Sequence, residues 1–331
     1  MVRIAEGSED AGFEGDVEMQ TVAVVLEKPE HLALRAMDLA EAGTNDIVVD
    51  VEWSGISSGT ERLLWTGRMP PFPGLSYPLV PGYETVGRVR QTSRGSGLHE
   101  GDRVFVPGAN CFGEVRGLFG GAASRLVVPA ARVVPIEQHI GENGVLIALA
   151  ATAYHAIAGE GARIPDLVVG HGIVGRLIAR IALALGHEAP TVWETNQLRR
   201  SGNVGYDVID PATDERRNYS AICDASGAQG ILDLLIGRLG KRGEVTLAGF
   251  YEEPLSFTFP PAFMREARIR IAAEWARSDI EAVTDLIGSG KLNLDGLITH
   301  FAAPESAPDA YRTAFTDPNC LKMVLDWRHH A

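Results

Sequence analysis

Gly170-His171-Gly172-Ile173-Val174-Gly175 is the densest chemical signal in the chain. It follows the apolar run Leu167-Val168-Val169 and opens a second, LIARIALALG. In that context the glycines allow a tight turn and close approach of the backbone to a pyrophosphate. Ile173 and Val174 begin a helix whose N-terminal N–H groups attract anions. Glu194 stands 19 residues after Gly175, at the end of the run TVWE. An acid at that place binds an adenosine ribose diol and repels a 2′-phosphate, so NAD is expected over NADP. Arg199 and Arg200 pull the other way. His171 is expected in the turn beside the pyrophosphate, not as a catalyst; the bland alternative is a glycine-rich turn that binds nothing. Ser226 and the pair Gly249-Phe250 end later apolar runs on the side of a sheet where a dinucleotide lies, with the nicotinamide near Gly249 and Phe250.

Two scaffolds must position these groups. From Gln20 to about residue 140, short β-branched runs bounded by Gly, Pro, Asn or Asp predict a partly open, antiparallel, barrel-like domain. Within it, GRMPPFPGLSYPLVPGYE holds Pro70, Pro71, Pro73, Pro78 and Pro81, which predicts a rigid, extended loop. From residue 143 strands alternate with helical patterns, which predicts a doubly wound parallel sheet. Asp210 to Tyr219 is too short for a crossover helix of roughly a dozen residues, so a loop or single turn is expected there. The expected organisation is an acidic disordered leader over 1–18, a discontinuous barrel domain over 19–142 and 276–331, and a nucleotide domain over 143–275.

Composition narrows the function. Forty-three acidic against 30 basic residues give a net charge of -13, which disfavours nucleic acid or an anionic membrane as the main partner. The three cysteines, Cys111, Cys223 and Cys320, lie too far apart for a disulfide framework or a Cys-rich zinc lobe, and fit a reducing cytoplasm. No apolar run approaches the roughly 20 residues of a membrane span, and no transmembrane segment is expected.

The order of barrel, glycine-rich sheet and returning tail resembles the medium-chain dehydrogenase/reductase superfamily, from about Gln20 onward. Its zinc-dependent members read roughly G-I-C-G-T-D and G-H-E where this chain has Ser54-Gly-Ile-Ser-Ser-Gly-Thr-Glu61 and Pro81-Gly-Tyr-Glu84. Ser58 falls at the cysteine, Tyr83 at the histidine and Ala148 at the third ligand, so the resemblance implies a GroES-like barrel and a Rossmann domain without catalytic zinc. It further implies that Ser58, Thr60 and Tyr83 bind the substrate oxygen or relay its proton, with Glu84 orienting Tyr83 or extending the relay. Bland readings stand beside these: Tyr83 fills the vacated metal space, Glu84 pairs with an arginine, and Ser57 and Ser58 are turn residues.

Longer stretches, among them VFVPGANCF, RGLFGGAASRLVVPAARV and GFYEEPLSFTFPPAF, are similar to a branch of that superfamily acting on bacteriochlorophyll precursors. The similarity implies NAD-dependent oxidation of a 3-(1-hydroxyethyl) group to 3-acetyl on a bacteriochlorophyllide. For so flat and apolar a tetrapyrrole, Trp65, Phe72 and Tyr77 are expected to form one wall, with Phe112 and Phe119 opposite. Arg62, Arg68 or Arg116 would meet its carboxylate; the plain alternative is core aromatics and solvated arginines. Rival readings are a zinc-free quinone or enoyl reductase and a non-catalytic NAD-binding protein. A homodimer through the edge of the nucleotide sheet is a superfamily-level expectation.

Overall fold

The computed structural model describes residues 19–71 and 73–330, so the expected leader and Phe72 lie outside the described residues. Strands β1 (Gln20–Lys28) and β2 (His31–Asp38) form an antiparallel hairpin. They are followed by β3 (Asp46–Ile56), helix α1 (Thr60–Thr66), β4 (Leu79–Val80), β5 (Thr85–Gln91), β6 (Arg103–Val106), β7 (Arg116–Gly117), β8 (Arg125–Pro129) and β9 (Val134–Pro135). β2-β1-β4-β7 make one sheet, while β5, β6, β8 and β9 gather around β3 in another. The alternation in these runs puts Val24, Ile47, Val49, Val104 and Leu126 into a shared core. The described residues of the proline-rich segment form no helix, and Leu79–Val80 form β4.

Helix α2 (Ile147–Ala158) leads into β10 (Leu167–Val169), α3 (Ile173–Ala184), β11 (Thr191–Trp193), β12 (Val208–Ile209), β13 (Tyr219–Asp224), α4 (Leu232–Arg238), β14 (Leu239–Leu247), α5 (Phe259–Arg265) and β15 (Arg268–Ile271). The six strands are parallel, in the order β12-β11-β10-β13-β14-β15. Leu167, Val168 and Val169 are all buried because α2 and α3 cover one face and α4 and α5 the other. The connection from β12 to β13 carries only a 3₁₀ turn, Pro211–Thr213, capped by the Asp210 carboxylate. β11 and β13 flank β10 on opposite sides, so a crevice opens at its C-terminal end.

The tail contains α6 (Arg277–Gly288), β16 (His300–Ala302), α7 (Ala307–Thr316) and β17 (Met323–Asp326). β17 pairs antiparallel with β3, β16 pairs with β17, and the Trp327 indole donates to Ser54 Oγ at 2.8 Å. Helix α6 instead buries Ile280 and Val283 in the core around α2 and α3. That core also takes in Trp53, Val86 and Phe105 of the barrel sheet, and Arg277 donates to the Ala131 carbonyl. Among the described residues no helix is long and apolar enough to cross a membrane.

Candidate active site

The turn from β3 into α1 and the entry into β5 meet side by side. Gly55 is required there, because a Cβ would lie 2.3 Å from Glu84 Oε2. Gly82 has φ +101, and its missing Cβ lets the chain pass Ala122 N. This places the Tyr83 hydroxyl 2.8 Å from Ser57 Oγ, with Thr60 at the start of α1. Burial, then the negative Glu84, hold the Tyr83 phenol well above its ordinary value, so it stays protonated and can pass a proton only as it gives one up.

The structure corrects two expectations here. Ser57, not Ser58, meets Tyr83; Ser58 is half-buried one residue further along the turn. Glu84 does not orient the Tyr83 hydroxyl. Its fully buried carboxylate accepts from Lys322 Nζ at 2.6 Å, and Lys322 also donates to the Ile56 carbonyl. Burial pushes the Glu84 carboxyl up, against the pull of Lys322.

Glu61 is a buried site residue that sequence reasoning misses. It is buried on α1, accepts the Ser57 N–H at 3.2 Å, and lies beside the Tyr311 phenol. Burial, then Glu84, push its carboxyl up to about 8. The signal available in the sequence was an acid directly after a Gly-Thr turn, and for Lys322 a lysine opening an apolar strand.

The crevice at β10 suits a dinucleotide. Gly170 has φ +94, and its Cβ position lies 3.1 Å from the Ser226 backbone. Gly175 could carry no Cβ, which would fall 1.9 Å from the Gly170 carbonyl, whereas a Cβ on Gly172, at the N-cap of α3, would meet nothing within 4 Å. Open space thus lies before the helix N-terminus begun by Ile173 and Val174. Glu194 accepts the N–H groups of His171 at 3.0 Å and Asn196 at 2.7 Å, one on each oxygen, which leaves lone pairs for a diol. Arg200 is bound to the Glu194 and Thr195 carbonyls and to Asp210, and Arg199 to the Pro318 carbonyl.

His171 sits in the turn between β10 and α3. Its ring turns inward to the Arg199 carbonyl at 2.6 Å and the Tyr206 hydroxyl at 2.9 Å, and burial lowers its pKa to about 4. The buried Arg176 binds the carbonyls of His171, Arg199, Ser201 and Gly202, which locks the following loop to the turn. Ser226 donates to Asp224, a buried carboxylate at the end of β13 that also accepts from Tyr251. Gly249 abuts the Gly227 backbone beside it, and Phe250 is exposed.

The expected substrate wall divides. Phe119 is exposed and meets Tyr83 edge-on, with ring centroids 5.6 Å apart. Trp65 instead packs on Phe315, and the Tyr77 hydroxyl donates to the Leu64 carbonyl, so both anchor α1 within a small leucine cluster. Phe112 is buried in the barrel core. These three had ordinary packing roles that only long-range contacts reveal. Arg62 and Arg116 are exposed, and Arg68 is paired with Glu252 at 3.2 Å. An aromatic residue missed in the sequence, Trp275, lies 6.2 Å from the Tyr83 ring at 34°. Among the described residues no group of three or more His, Cys, Asp or Glu side chains could hold a metal ion.

A barrel joined to a parallel nucleotide-type sheet, with a hydroxyl cluster at their junction, defines an alcohol-dehydrogenase-like protein. Residues 43–138 match the alcohol dehydrogenase GroES-like domain. The chain is similar in fold to 2R,3R-butanediol dehydrogenase from Bacillus subtilis (TM-score 0.80, 17% identity, covering 92% of this chain and 99% of that one). A similar likeness is to a short chain alcohol dehydrogenase from Escherichia coli CFT073 complexed with NADH (TM-score 0.79, 21% identity, covering 93% and 99%). It is 57% identical, over 94% of its length and 99% of the relative's, to 2-desacetyl-2-hydroxyethyl bacteriochlorophyllide A dehydrogenase of Rhodobacter capsulatus. It is 56% identical to the protein of the same name from Cereibacter sphaeroides, over 94% and 99%. The chain belongs to the family of these bacteriochlorophyllide dehydrogenases, within the medium-chain dehydrogenase/reductase superfamily.

Proposed function

We propose that this protein oxidises the hydroxyethyl side chain of a bacteriochlorophyllide to an acetyl group, with NAD as hydride acceptor and no catalytic metal. The observation that carries the proposal is the 2.8 Å contact between the Tyr83 and Ser57 hydroxyls, with Tyr83 at the position where the superfamily resemblance puts a zinc-ligating histidine. Held by the Gly170–Gly175 turn and the Glu194 carboxylate, a nicotinamide cofactor would supply the hydride acceptor for the carbinol carbon.

The chain's own groups manage the proton and the charge. Tyr83 receives the substrate hydroxyl proton as it releases its own to Ser57 or Thr60, and the half-buried Thr60 passes it outward. Because the carbinol carbon adjoins a conjugated macrocycle, developing charge spreads over the ring, which reduces the electrostatic stabilisation asked of the protein. Glu194 favours NAD, since Arg199 and Arg200 are engaged elsewhere. Exposed Arg62 and Arg116 remain for the pigment carboxylate.

The same reading places the protein in the cytoplasm as a homodimer. β15 is an edge strand with Ile269 and Ile271 exposed, beside exposed Phe259, Phe263 and Met264 on α5. An unpaired edge next to an apolar patch favours a second copy of the chain.

Incubation with NAD and 3-hydroxyethyl bacteriochlorophyllide should give NADH and a red-shifted pigment spectrum in equal amounts. Folded protein that produces neither would sink the proposal. Preferred turnover of quinones or enoyl compounds with NADPH would favour the rival reductase.

A further inference from the structure

We propose that Trp275 is a specificity-determining residue, forming with Phe119 the aromatic wall on which a planar conjugated substrate lies against Tyr83. The inference rests on the oxidation of a macrocyclic alcohol proposed above and names the residue that selects it.

Three observations converge on the indole. Its plane lies within 34° of the Tyr83 ring at a centroid separation of 6.2 Å, and Phe119 closes on the same ring from the side at 90° and 5.6 Å. Phe119 is 39% exposed and Trp275 half-buried, so apolar surface is left uncovered beside the Tyr83 ring. A flat ring that stacks there covers it.

Trp275 is also held in place. β15 is parallel to the rest of its sheet, so the chain leaving its C-terminal end emerges at the same end of the sheet as Gly170, Ser226 and Gly249. From there it crosses to the barrel. Ala272 N–H donates to the Leu247 carbonyl on one side, and Ala276 N–H to Asp279 on the other, with Asp279 fixed in turn by His155 at 2.8 Å. Between these anchors Glu274 has φ +55, a left-handed conformation unfavourable for a residue with a side chain. Such strain persists where the surrounding structure enforces it, and here it turns Trp275 onto Tyr83.

The wall is probed with Trp275→Phe and Trp275→Leu, using steady-state kinetics and titration with the acetyl pigment, which cannot be oxidised. Trp275→Leu should raise KM for the hydroxyethyl pigment and Kd for the acetyl pigment about tenfold, as loss of one aromatic contact predicts. kcat and the KM for NAD should change little, and Trp275→Phe should restore most of the binding. Phe119→Leu, in the same wall, should raise the same Kd and serves if Trp275→Leu does not fold. Unchanged pigment affinity in the folded leucine variants, with the wild type turning pigment over, overturns the wall alone. Pigment binding that depends on Trp275 in a wild type without turnover leaves the wall standing and defeats the oxidation instead.

Discussion

Lys322 Nζ and Glu84 Oε2 lie 2.6 Å apart although 238 residues separate them in the chain. The pair joins the entry of the last strand to the loop that presents Tyr83, and both side chains are at most 1% exposed. Removing either partner leaves an uncompensated buried charge. Glu84→Gln or Lys322→Met should each cost about 3–5 kcal/mol in urea unfolding, and the double variant much less than the sum. Additive losses would show that the two groups do not interact.

Tyr83→Phe removes the hydroxyl bonded to Ser57 and should lower kcat roughly 100- to 10,000-fold, with pigment affinity nearly unchanged. Ser57→Ala should give a smaller loss in the same direction, and Ser58→Ala little or none. Equal losses from both serines would contradict the placement of Ser57 in the relay.

Glu61 gives stability a pH dependence with a defined sign. Its folded pKa is raised from 4.5 to about 8, so between those values the folded protein holds a proton that the unfolded chain has released. Stability is therefore undiminished by this group below pH 4.5 and declines as pH rises to about 8, by roughly 1.4 kcal/mol per pH unit at most. Glu61→Gln should flatten the decline, read from denaturant midpoints across that window. A variant with the wild-type slope would assign the titration to another group.

Glu194→Ser should lower the NAD-to-NADP affinity ratio about tenfold, since a repelling carboxylate and a diol acceptor are lost together. Its bond to the His171 N–H makes some loss of total affinity part of the same outcome. An unaltered ratio would move cofactor selection to another residue.

Ile271, on edge strand β15, is 75% exposed. Ile271→Lys should convert a dimer to a monomer in light scattering, because charge on an edge strand opposes edge-to-edge pairing. A wild-type monomer at micromolar concentration would dismiss the dimer.

The backbone architecture was legible in the sequence because its signals are local. Val168 between Leu167 and Val169 predicts a strand buried on both faces, and the Gly170–Gly175 turn predicts the strand-to-helix crevice whatever surrounds it. The short link after Asp210 announced its single turn by length alone.

Side-chain partnership was not legible, because it depends on which residues distant in the chain face each other. Nothing local distinguishes Ser57 from Ser58; a single residue of turn geometry decides which reaches Tyr83. Trp65, Tyr77 and Phe112 have the composition of a pigment wall, yet each finds a closer packing partner. Trp275 becomes a site residue only because a strained bridge at Glu274 carries it from the nucleotide sheet to the barrel. Local sequence determined the elements and the glycine-lined turn. The tertiary structure decided the charge pairs, the Tyr83–Ser57 contact and the aromatic cluster around Tyr83, since each needs contacts that no local stretch of the chain contains.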